Sequence, residues 1–296
     1  MKKIDITKKA SFISMVILAI LLCFSLPASA DYSTGFSNSA IQITSPASSG
    51  FQSEGVLSIE GTSILDRVWF CVRGPAGELV TYPADVLEGY FKAEVQLRFG
   101  PGNYTIWADD NPTEFDGLIR FELVNILEED TRYISPSAYV DSSNQSIVDL
   151  VYQLVTPQMS ETEKLKAIHG WVTGNIAYDY RAFLEGQNQL VTASQTIQNK
   201  KGGCRDYAFL IAALARAAGL QAKVVSGQTW ESNGWTPQSH AWNEVYVGGS
   251  WVTIDATWDA GYIQNESFVA APSTKYFAQD SGEFAVTHFA SANTTY

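Results

Sequence analysis

The chain has 296 residues and a formal net charge of −12, with 46% hydrophobic and 17% charged residues. This is globular composition, and it excludes a disordered, collagen-like or coiled-coil chain. The acidic excess, with no visible Lys/Arg stripe, argues against a nucleic-acid partner, and three cysteines are too few for a disulfide-rich scaffold.

The first thirty residues have the pattern of a secretory signal. Four lysines precede an apolar stretch from Phe12 to Leu26, which leads into the small-x-small site Ala28-Ser29-Ala30. The uncharged stretch is also long enough to span a bilayer, so an uncleaved membrane anchor is the alternative. The Ala-Ser-Ala exit favours cleavage. We therefore expect a signal peptide over residues 1–30, a secreted or cell-surface protein, and no membrane association after cleavage.

Residues 31–127 are expected to form a β-sandwich. Five segments alternate apolar and polar residues: 56–61, 67–72, 90–97, 103–108 and 118–123. Gly-Pro turns punctuate them, and short strands with regular turn signals are typical of this architecture. The strand count and the Gly-Pro-Gly-Asn-Tyr turn resemble bacterial immunoglobulin-like domains. Cys71 falls inside one predicted strand, where we expect a small buried hydrophobic side chain.

From about residue 128 the pattern becomes helical. The acidic run 128–130 and the stretch 133–144, which contains Ser and Pro residues, are expected to form a linker that packs onto the next domain. Apolar residues at helical spacing predict helices over 147–154 and 165–176. Ser160 and Glu163 predict a capping box at the start of the second helix. The chain is therefore expected to have an α+β fold, with its second domain over residues 128–296.

Cys204 follows two glycines and opens an alanine-rich apolar segment that Gly219 ends, which predicts a helix starting at the cysteine. At a helix N-terminus the dipole and free backbone N–H groups stabilise a thiolate. The glycines allow close approach of a backbone or a substrate. The neighbouring Lys200, Lys201 and Arg205 add positive charge. The alternatives are a buried structural cysteine and a disulfide with Cys71.

A cysteine nucleophile needs a base, and His240 is one of only three histidines. Two β-rich runs around Gly248-Gly249 predict a hairpin. A two-residue loop pairs Val247 with Ser250 and, by extension, His240 with Thr257.

That register puts Asp255 diagonally beside His240 on the same face of the sheet. The carboxylate would then hold the imidazole's tautomer and leave its other nitrogen facing Cys204. A three-residue loop would place Asp255 on the wrong face. The alternatives are a His240 packed under Trp242 and an Asp255 that caps a turn before Thr257.

Three blocks, in this order, resemble the transglutaminase-like cysteine enzymes: Gly-Gly-Cys204-Arg-Asp-Tyr-Ala, His240-Ala-Trp-Asn-Glu-Val and Trp251-Val-x-Ile-Asp255-x-Thr-Trp. The resemblance covers about residues 133–290 and also touches Tyr178-Asp179 and Thr287-His288-Phe289. It implies a papain-like α+β core with a Cys–His–Asp triad. Cys204 would be the nucleophile, His240 the base and acid, and Asp255 the orienting carboxylate. Ala256 stands where many members have proline, which loosens a turn and leaves the triad alone.

The remaining candidates carry weaker signals. His169 and His288 are expected to be structural, and we expect no cofactor and no metal, since no Cys/His spacing suggests zinc. Trp230 and Trp235 lie in a polar loop just before His240, and we expect them to contact substrate at the rim of the site. The backbone N–H of Cys204 is a candidate oxyanion donor.

The sequence thus predicts a secreted cysteine enzyme that forms a thioester with a peptide or glutamine carboxamide carbonyl. With water as acceptor it is a protease or amidase; with a lysine amine it is a crosslinking transglutaminase. Resemblance to bacterial members slightly favours hydrolysis. The expected partner is a protein or peptide substrate, for which a cell wall is one location. The β domain would position the enzyme at a cell wall or at a protein partner. The alternatives are a catalytically inactive transglutaminase-like module for cell-surface binding and a purely structural surface protein.

Overall fold

The computed structural model describes residues 36–187, 189–230, 238–278 and 281–291. The predicted signal peptide and Trp235 lie outside these ranges. Within them, no helix combines the length and apolar character needed to cross a bilayer.

The N-terminal half of the described chain consists of strands. They are β1 (Ile41–Ser45), β2 (Phe51–Ser53), β3 (Val56–Ser63), β4 (Arg67–Arg73), β5 (Leu79–Asp85), β6 (Tyr90–Gln96), β7 (Gly102–Asp109) and β8 (Ile119–Asn125). One sheet has the order β1-β3-β6 and the other the order β2-β8-β7-β4-β5. Pairing is antiparallel throughout, apart from the parallel pair β2 and β8.

Alternation along the strands builds a single core between the two sheets. In β3 and β6 successive side chains alternate between exposed and buried. Phe70 of the larger sheet meets Phe91 of the smaller one with ring centroids 5.9 Å apart, as in sheets packed face to face. All five predicted strands are present, and Cys71 is buried and free, as expected. The α+β class is confirmed.

Three strands were not predicted from sequence. β5 contains Pro83, and proline within a run argues against a strand because it cannot donate to the ladder. β5 lies at the edge of its sheet, where one missing N–H is tolerated. β2 has three residues, too few to show an alternating pattern.

The C-terminal half combines helices with short sheets. The helices are α1 (Gln145–Leu154), α2 (Glu161–Asn175), α3 (Tyr180–Leu184), α4 (Ala193–Asn199), α5 (Cys204–Ala217), α6 (Ala256–Ala260) and α7 (Ser281–Phe284). The strands are β9 (Ala177–Tyr178), β10 (Lys201–Gly202), β11 (Ala222–Thr229), β12 (Gln238–Val247), β13 (Ser250–Ile254), β14 (Gly261–Gln264), β15 (Ser267–Ala270) and β16 (His288–Ala290). The sheet β13-β12-β11-β16 is the largest here; β9 pairs with β10 in parallel, and β14 with β15.

Helix α5 lies at the centre of this half. Every residue from 207 to 216 is buried, and the helix packs against α1, α2 and α4 as well as strands β11 and β12. Its alanines allow close approach on all sides. The helix ends before Gly219, which adopts φ 83°, the left-handed conformation that stops a helix. The predicted start at Cys204 and stop at Gly219 are both confirmed.

The predicted linker contacts both cores. Thr131 donates its backbone N–H to the carbonyl of Arg98, in the strand-rich half. A few residues later, Arg216 of α5 donates to the carbonyl of Ser135 at 2.9 Å, and Val140 is fully buried in the helical core.

Candidate active site

Cys204 is the first residue of α5, with Gly203 as the N-cap. The carboxylate of Asp206 accepts the backbone N–H of Gly203 at 2.7 Å and thereby fixes the turn that carries the thiol. A Cβ at Gly202 would lie 2.5 Å from the Asp206 side chain, so this turn requires glycine there. Cys204 is free and half-buried, and Cys71 is also free, so the disulfide alternative is wrong.

The parallel pair β9–β10 brings a second segment to this cap. Asp179 follows β9 and donates its N–H to the carbonyl of Gly202 at 3.0 Å. Its carboxylate pairs with Lys201 at 2.7 Å, and this hydrogen bond lowers the pKa of Asp179. Lys201 is therefore engaged by a carboxylate, and the sequence overestimated its contribution to the positive charge at the thiol.

A pocket of about 490 Å³ borders the same cap. Its lining includes Gly203, Asp206, Asp179 and Asn199. Burial raises the pKa of Asp206, against the hydrogen bond from Gly203 that lowers it. The polar lining suits a peptide backbone or a carboxamide.

The hairpin places His240 and Asp255 together by a route that differs from the predicted register. Val247 pairs with Ser250, as a two-residue loop requires, but the ladder ends at the pair Asn243–Ile254. The predicted pair of His240 with Thr257 does not form. The chain leaves the strand at Asp255 because this residue caps α6, the helix that follows at once.

Asp255 uses its two carboxylate oxygens for different purposes. Oδ1 accepts the backbone N–H groups of Thr257 at 2.9 Å and Trp258 at 3.1 Å. Oδ2 lies 2.7 Å from Nε2 of His240. The sequence presented two roles for Asp255 as alternatives: capping a turn and pairing with His240. This fully buried side chain has both roles.

His240 lies between this carboxylate and the thiol. Burial of the ring disfavours the imidazolium, but the charge and hydrogen bond of Asp255, with a further hydrogen bond that the imidazolium donates to Cys204, raise the pKa of His240 to about 10. For Asp255, burial acts to raise the pKa, and the interactions with His240 and His288 outweigh it and hold that pKa below the ordinary range. The arrangement therefore favours a charged histidine beside an ionised carboxylate, with a thiol in contact.

His288 is the residue that sequence reasoning missed. It lies on β16, which pairs with β11 so that His288 faces Thr229. Its Nε2 is 3.1 Å from Oδ2 of Asp255. No hairpin links the two residues, which are 33 positions apart. The sequence held two signals for His288. Histidine is scarce in this chain, and the segment 287–289 is one of those that resemble the transglutaminase-like enzymes.

Three ligand atoms from His240, Asp255 and His288 lie within 4.8 Å of one another, close enough for a metal ion. Both imidazoles are hydrogen-bonded to the shared carboxylate, which accounts for this spacing.

The remaining sequence candidates have mixed positions. Trp230 follows β11, donates its N–H to the carbonyl of Thr287 at 3.0 Å and leaves 43% of its surface exposed. It thus lies beside the segment that carries His288. Trp235 lies outside the described residues.

Comparison with known proteins gives matches to part of the chain. Residues 148–256 match the model of the transglutaminase-like superfamily, a range that contains Cys204, His240 and Asp255. The chain is similar to kyphoscoliosis peptidase of Mus musculus, 31% identical over 149 residues, which are 48% of this chain and 22% of that protein. It is also similar to hillarin of Drosophila melanogaster, 27% identical over 172 residues, which are 55% and 18% of the two chains.

Solved structures extend the similarity at lower identity. A proposed cysteine protease from Cytophaga hutchinsonii is 19% identical, with 81% of this chain and 85% of that chain covered and a TM-score of 0.40. Red sea bream transglutaminase is 10% identical, with coverage of 76% and 51% and a TM-score of 0.34. The chain spans less than a quarter of the length of the two curated relatives named above.

Proposed function

We propose that the protein is a cysteine enzyme that transfers acyl groups through a thioester, and the match of residues 148–256 to the transglutaminase-like superfamily supports this proposal. Its substrates are peptide bonds or glutamine carboxamides. The observation that carries the proposal is the contact of Cys204 with His240, whose other side meets Asp255 at 2.7 Å.

The first half-reaction forms the thioester. The Cys204 thiolate attacks the substrate carbonyl, a C–S bond forms, and the C–N bond breaks. His240, held as the imidazolium by Asp255, gives its proton to the departing amine or ammonia. The helix N-terminus presents its free N–H groups towards the developing oxyanion, and the Cys204 N–H is the candidate donor.

The second half-reaction resolves the thioester. Neutral His240 takes a proton from water or from an amine, and the oxygen or nitrogen attacks the acyl carbon. The C–S bond breaks, which regenerates the Cys204 thiolate beside the His240 imidazolium. Water gives hydrolysis and a lysine amine gives a crosslink. We propose hydrolysis as the main branch, and the name peptidase carried by the mouse relative supports this choice.

We also propose that the enzyme is exported and acts on a protein associated with a cell wall. The basic and apolar pattern of residues 1–30 supports export. The strand-rich half has a hydrophobic core of its own, and its outer surface is the proposed place of attachment. The polar pocket at the α5 cap and the exposed Trp230 are the proposed contacts for the substrate chain.

The test is incubation of the purified protein with a glutamine-containing peptide and a tagged primary amine, followed by mass spectrometry. Conversion of glutamine to glutamate, or cleavage into two fragments, supports hydrolysis. A gain of the amine with loss of ammonia identifies crosslinking and overturns the hydrolytic preference. The Cys71→Ser variant, altered at the buried cysteine, is the matched control and retains turnover. Turnover that persists in Cys204→Ser would exclude the thioester mechanism.

A further inference from the structure

His288 is a second histidine that contacts the carboxylate of the triad. The side chain is fully buried, and its Nε2 contacts the same Asp255 oxygen that His240 uses. We propose that His288 is a positioning residue that holds Asp255, and through it His240, in the geometry required for proton transfer. This inference rests on the proposed thioester mechanism.

The hydrogen bonds at Asp255 are complete only when His288 is included. A carboxylate has about four acceptor positions. Two backbone N–H groups occupy Oδ1, and the Nε2 atoms of His240 and His288 occupy Oδ2. Without His288, one position on a fully buried anion would lack a donor, which disfavours the ionised and fixed carboxylate.

Asp255 and Thr287 contact the two ring nitrogens of His288. Because a carboxylate only accepts, Nε2 must carry a proton and donate it to Asp255 at 3.1 Å. In a neutral ring Nδ1 then accepts the hydroxyl of Thr287 at 2.8 Å. This contact is shorter than the 3.3 Å between the same hydroxyl and the carbonyl of Phe284, to which it can donate instead. The order of contacts runs from Thr287 through His288, Asp255 and His240 to Cys204.

Aromatic rings fix the plane of His288. Phe284 stacks on it with centroids 3.9 Å apart, and Trp258 and Trp242 lie at 4.7 and 5.1 Å. Gly227 makes this approach of β16 possible, because a Cβ there would lie 2.2 Å from the carbonyl oxygen of Phe289. A ring so enclosed has little freedom to tilt, which is what a positioning residue needs.

A merely structural histidine would occupy the same place, so the test must separate packing from hydrogen bonding. His288→Phe keeps an aromatic ring and removes the donor. His288→Gln loses the ring but offers an amide N–H near the position of Nε2. The readout is the rate of Cys204 alkylation by iodoacetamide at pH 6 and pH 9, measured by peptide mass spectrometry with Cys71 as the internal control.

We expect His288→Phe to lower the rate at pH 6 about ten- to a hundredfold, the loss typical of one hydrogen bond to a charged group. At pH 9, where a thiol ionises without help, the rate should change little. His288→Gln should restore most of the rate at pH 6. A rate at pH 6 that His288→Phe leaves at the wild-type level would overturn the inference. So would losses in both variants that are equal at the two pH values and follow the decrease in melting temperature.

The variants His240→Ala and Asp255→Asn separate this inference from the proposed function. If both remove the reactivity at pH 6 while His288→Phe keeps it, the role of His288 is refuted and the triad stands. If wild-type Cys204 reacts no faster at pH 6 than it does in His240→Ala, the thioester mechanism fails, and the inference fails with it.

Discussion

Two histidine–aspartate pairs flank the short helix α6. At its start, Asp255 contacts Nε2 of His240 at 2.7 Å; near its end, Asp259 contacts Nε2 of His169 at 3.0 Å. Both carboxylates are fully buried. The difference lies beyond the imidazole, because His240 meets the thiol of Cys204 whereas His169 meets the edge of the Phe277 ring at 5.0 Å. The comparison teaches that such a pair is by itself a packing element, and that a thiol on the far side is what makes it reactive.

The second pair contributes to the site only by supporting it. Asp259 accepts the hydroxyl of Ser273 and the backbone N–H of Tyr276, and so ties the following segment to α6. Tyr276 in turn packs on Trp258 and His288 with ring centroids 5.1 and 5.9 Å away. His169 is a buried core histidine, the kind the sequence led us to expect.

Asparagine at position 255 should have the largest effect on activity. Its amide oxygen still caps α6, but the anion that orients and charges His240 is lost. We expect turnover by the folded enzyme to decrease about 10³- to 10⁴-fold. The melting temperature should fall as well, because the buried His240 loses the anion that stabilises its charged form. Steady-state kinetics and a thermal melt check this prediction. A variant with more than a tenth of wild-type turnover would show that Asp255 serves only as a cap.

The matched substitution, Asp259→Asn, should lower stability and leave the chemistry of the site intact. The Asp259 carboxylate contacts His169, Ser273 and Tyr276 by hydrogen bonds, and buried donors left unsatisfied in the variant cost about 1–3 kcal/mol. Turnover of the molecules that remain folded should be close to that of wild type. Urea unfolding gives the free energy, and kinetics at low temperature give the turnover. Loss of turnover without loss of stability would show that the second pair also acts in catalysis.

The pH dependence of stability should report the charge of His240 in the first pair. The pKa of His240 is raised in the fold from 6.5 to about 10, so the native state binds a proton that the unfolded chain releases. Its stabilising contribution is complete below pH 6.5 and is lost as the pH rises from 6.5 towards 10. Urea unfolding of wild type and His240→Gln should therefore show a difference that shrinks across this window. A constant difference would contradict the raised pKa.

The smallest effect is expected at the start of α2, the helix that carries His169. Ser160 accepts the N–H of Glu163, whose carboxylate accepts the N–H of Ser160 at 2.8 Å, which confirms the predicted capping box. Ser160→Ala should cost about 1 kcal/mol of stability and leave Cys204 alkylation unchanged. Thr162→Ala, at an exposed position inside the box, is the matched control for a surface change. An altered alkylation rate in Ser160→Ala would mean that α2 transmits strain to the site.

The sequence predicted most accurately those features that depend on neighbours in the chain. The start of α5 at Cys204, its stop at Gly219 and the two-residue hairpin loop are all local, since glycine conformation and helix capping decide them. The contact of His240 with Asp255 was anticipated, but through an extended ladder that does not form. An aspartate can cap a helix or continue a strand. The rule that pairs residues across a hairpin does not decide between the two.

The features missed depend on contacts between distant segments. His288 reaches Asp255 only because β16 adds to the edge of the sheet at β11, and a strand of three residues has no recognisable pattern. β5 was hidden by Pro83, whose acceptability depends on its place at a sheet edge. In both cases the decisive fact is which strand lies next to which, and residue spacing does not contain it.

The divided use of Asp255 also limits how such a protein can change over time. A lineage that abandons chemistry and keeps the fold as a binding module can replace Cys204 at small structural cost, because that side chain is half-buried and caps nothing. Asp255 is different: one of its oxygens begins α6 while the other serves the histidines. Decay should therefore begin at the thiol, and the aspartate should outlast the reaction it once supported.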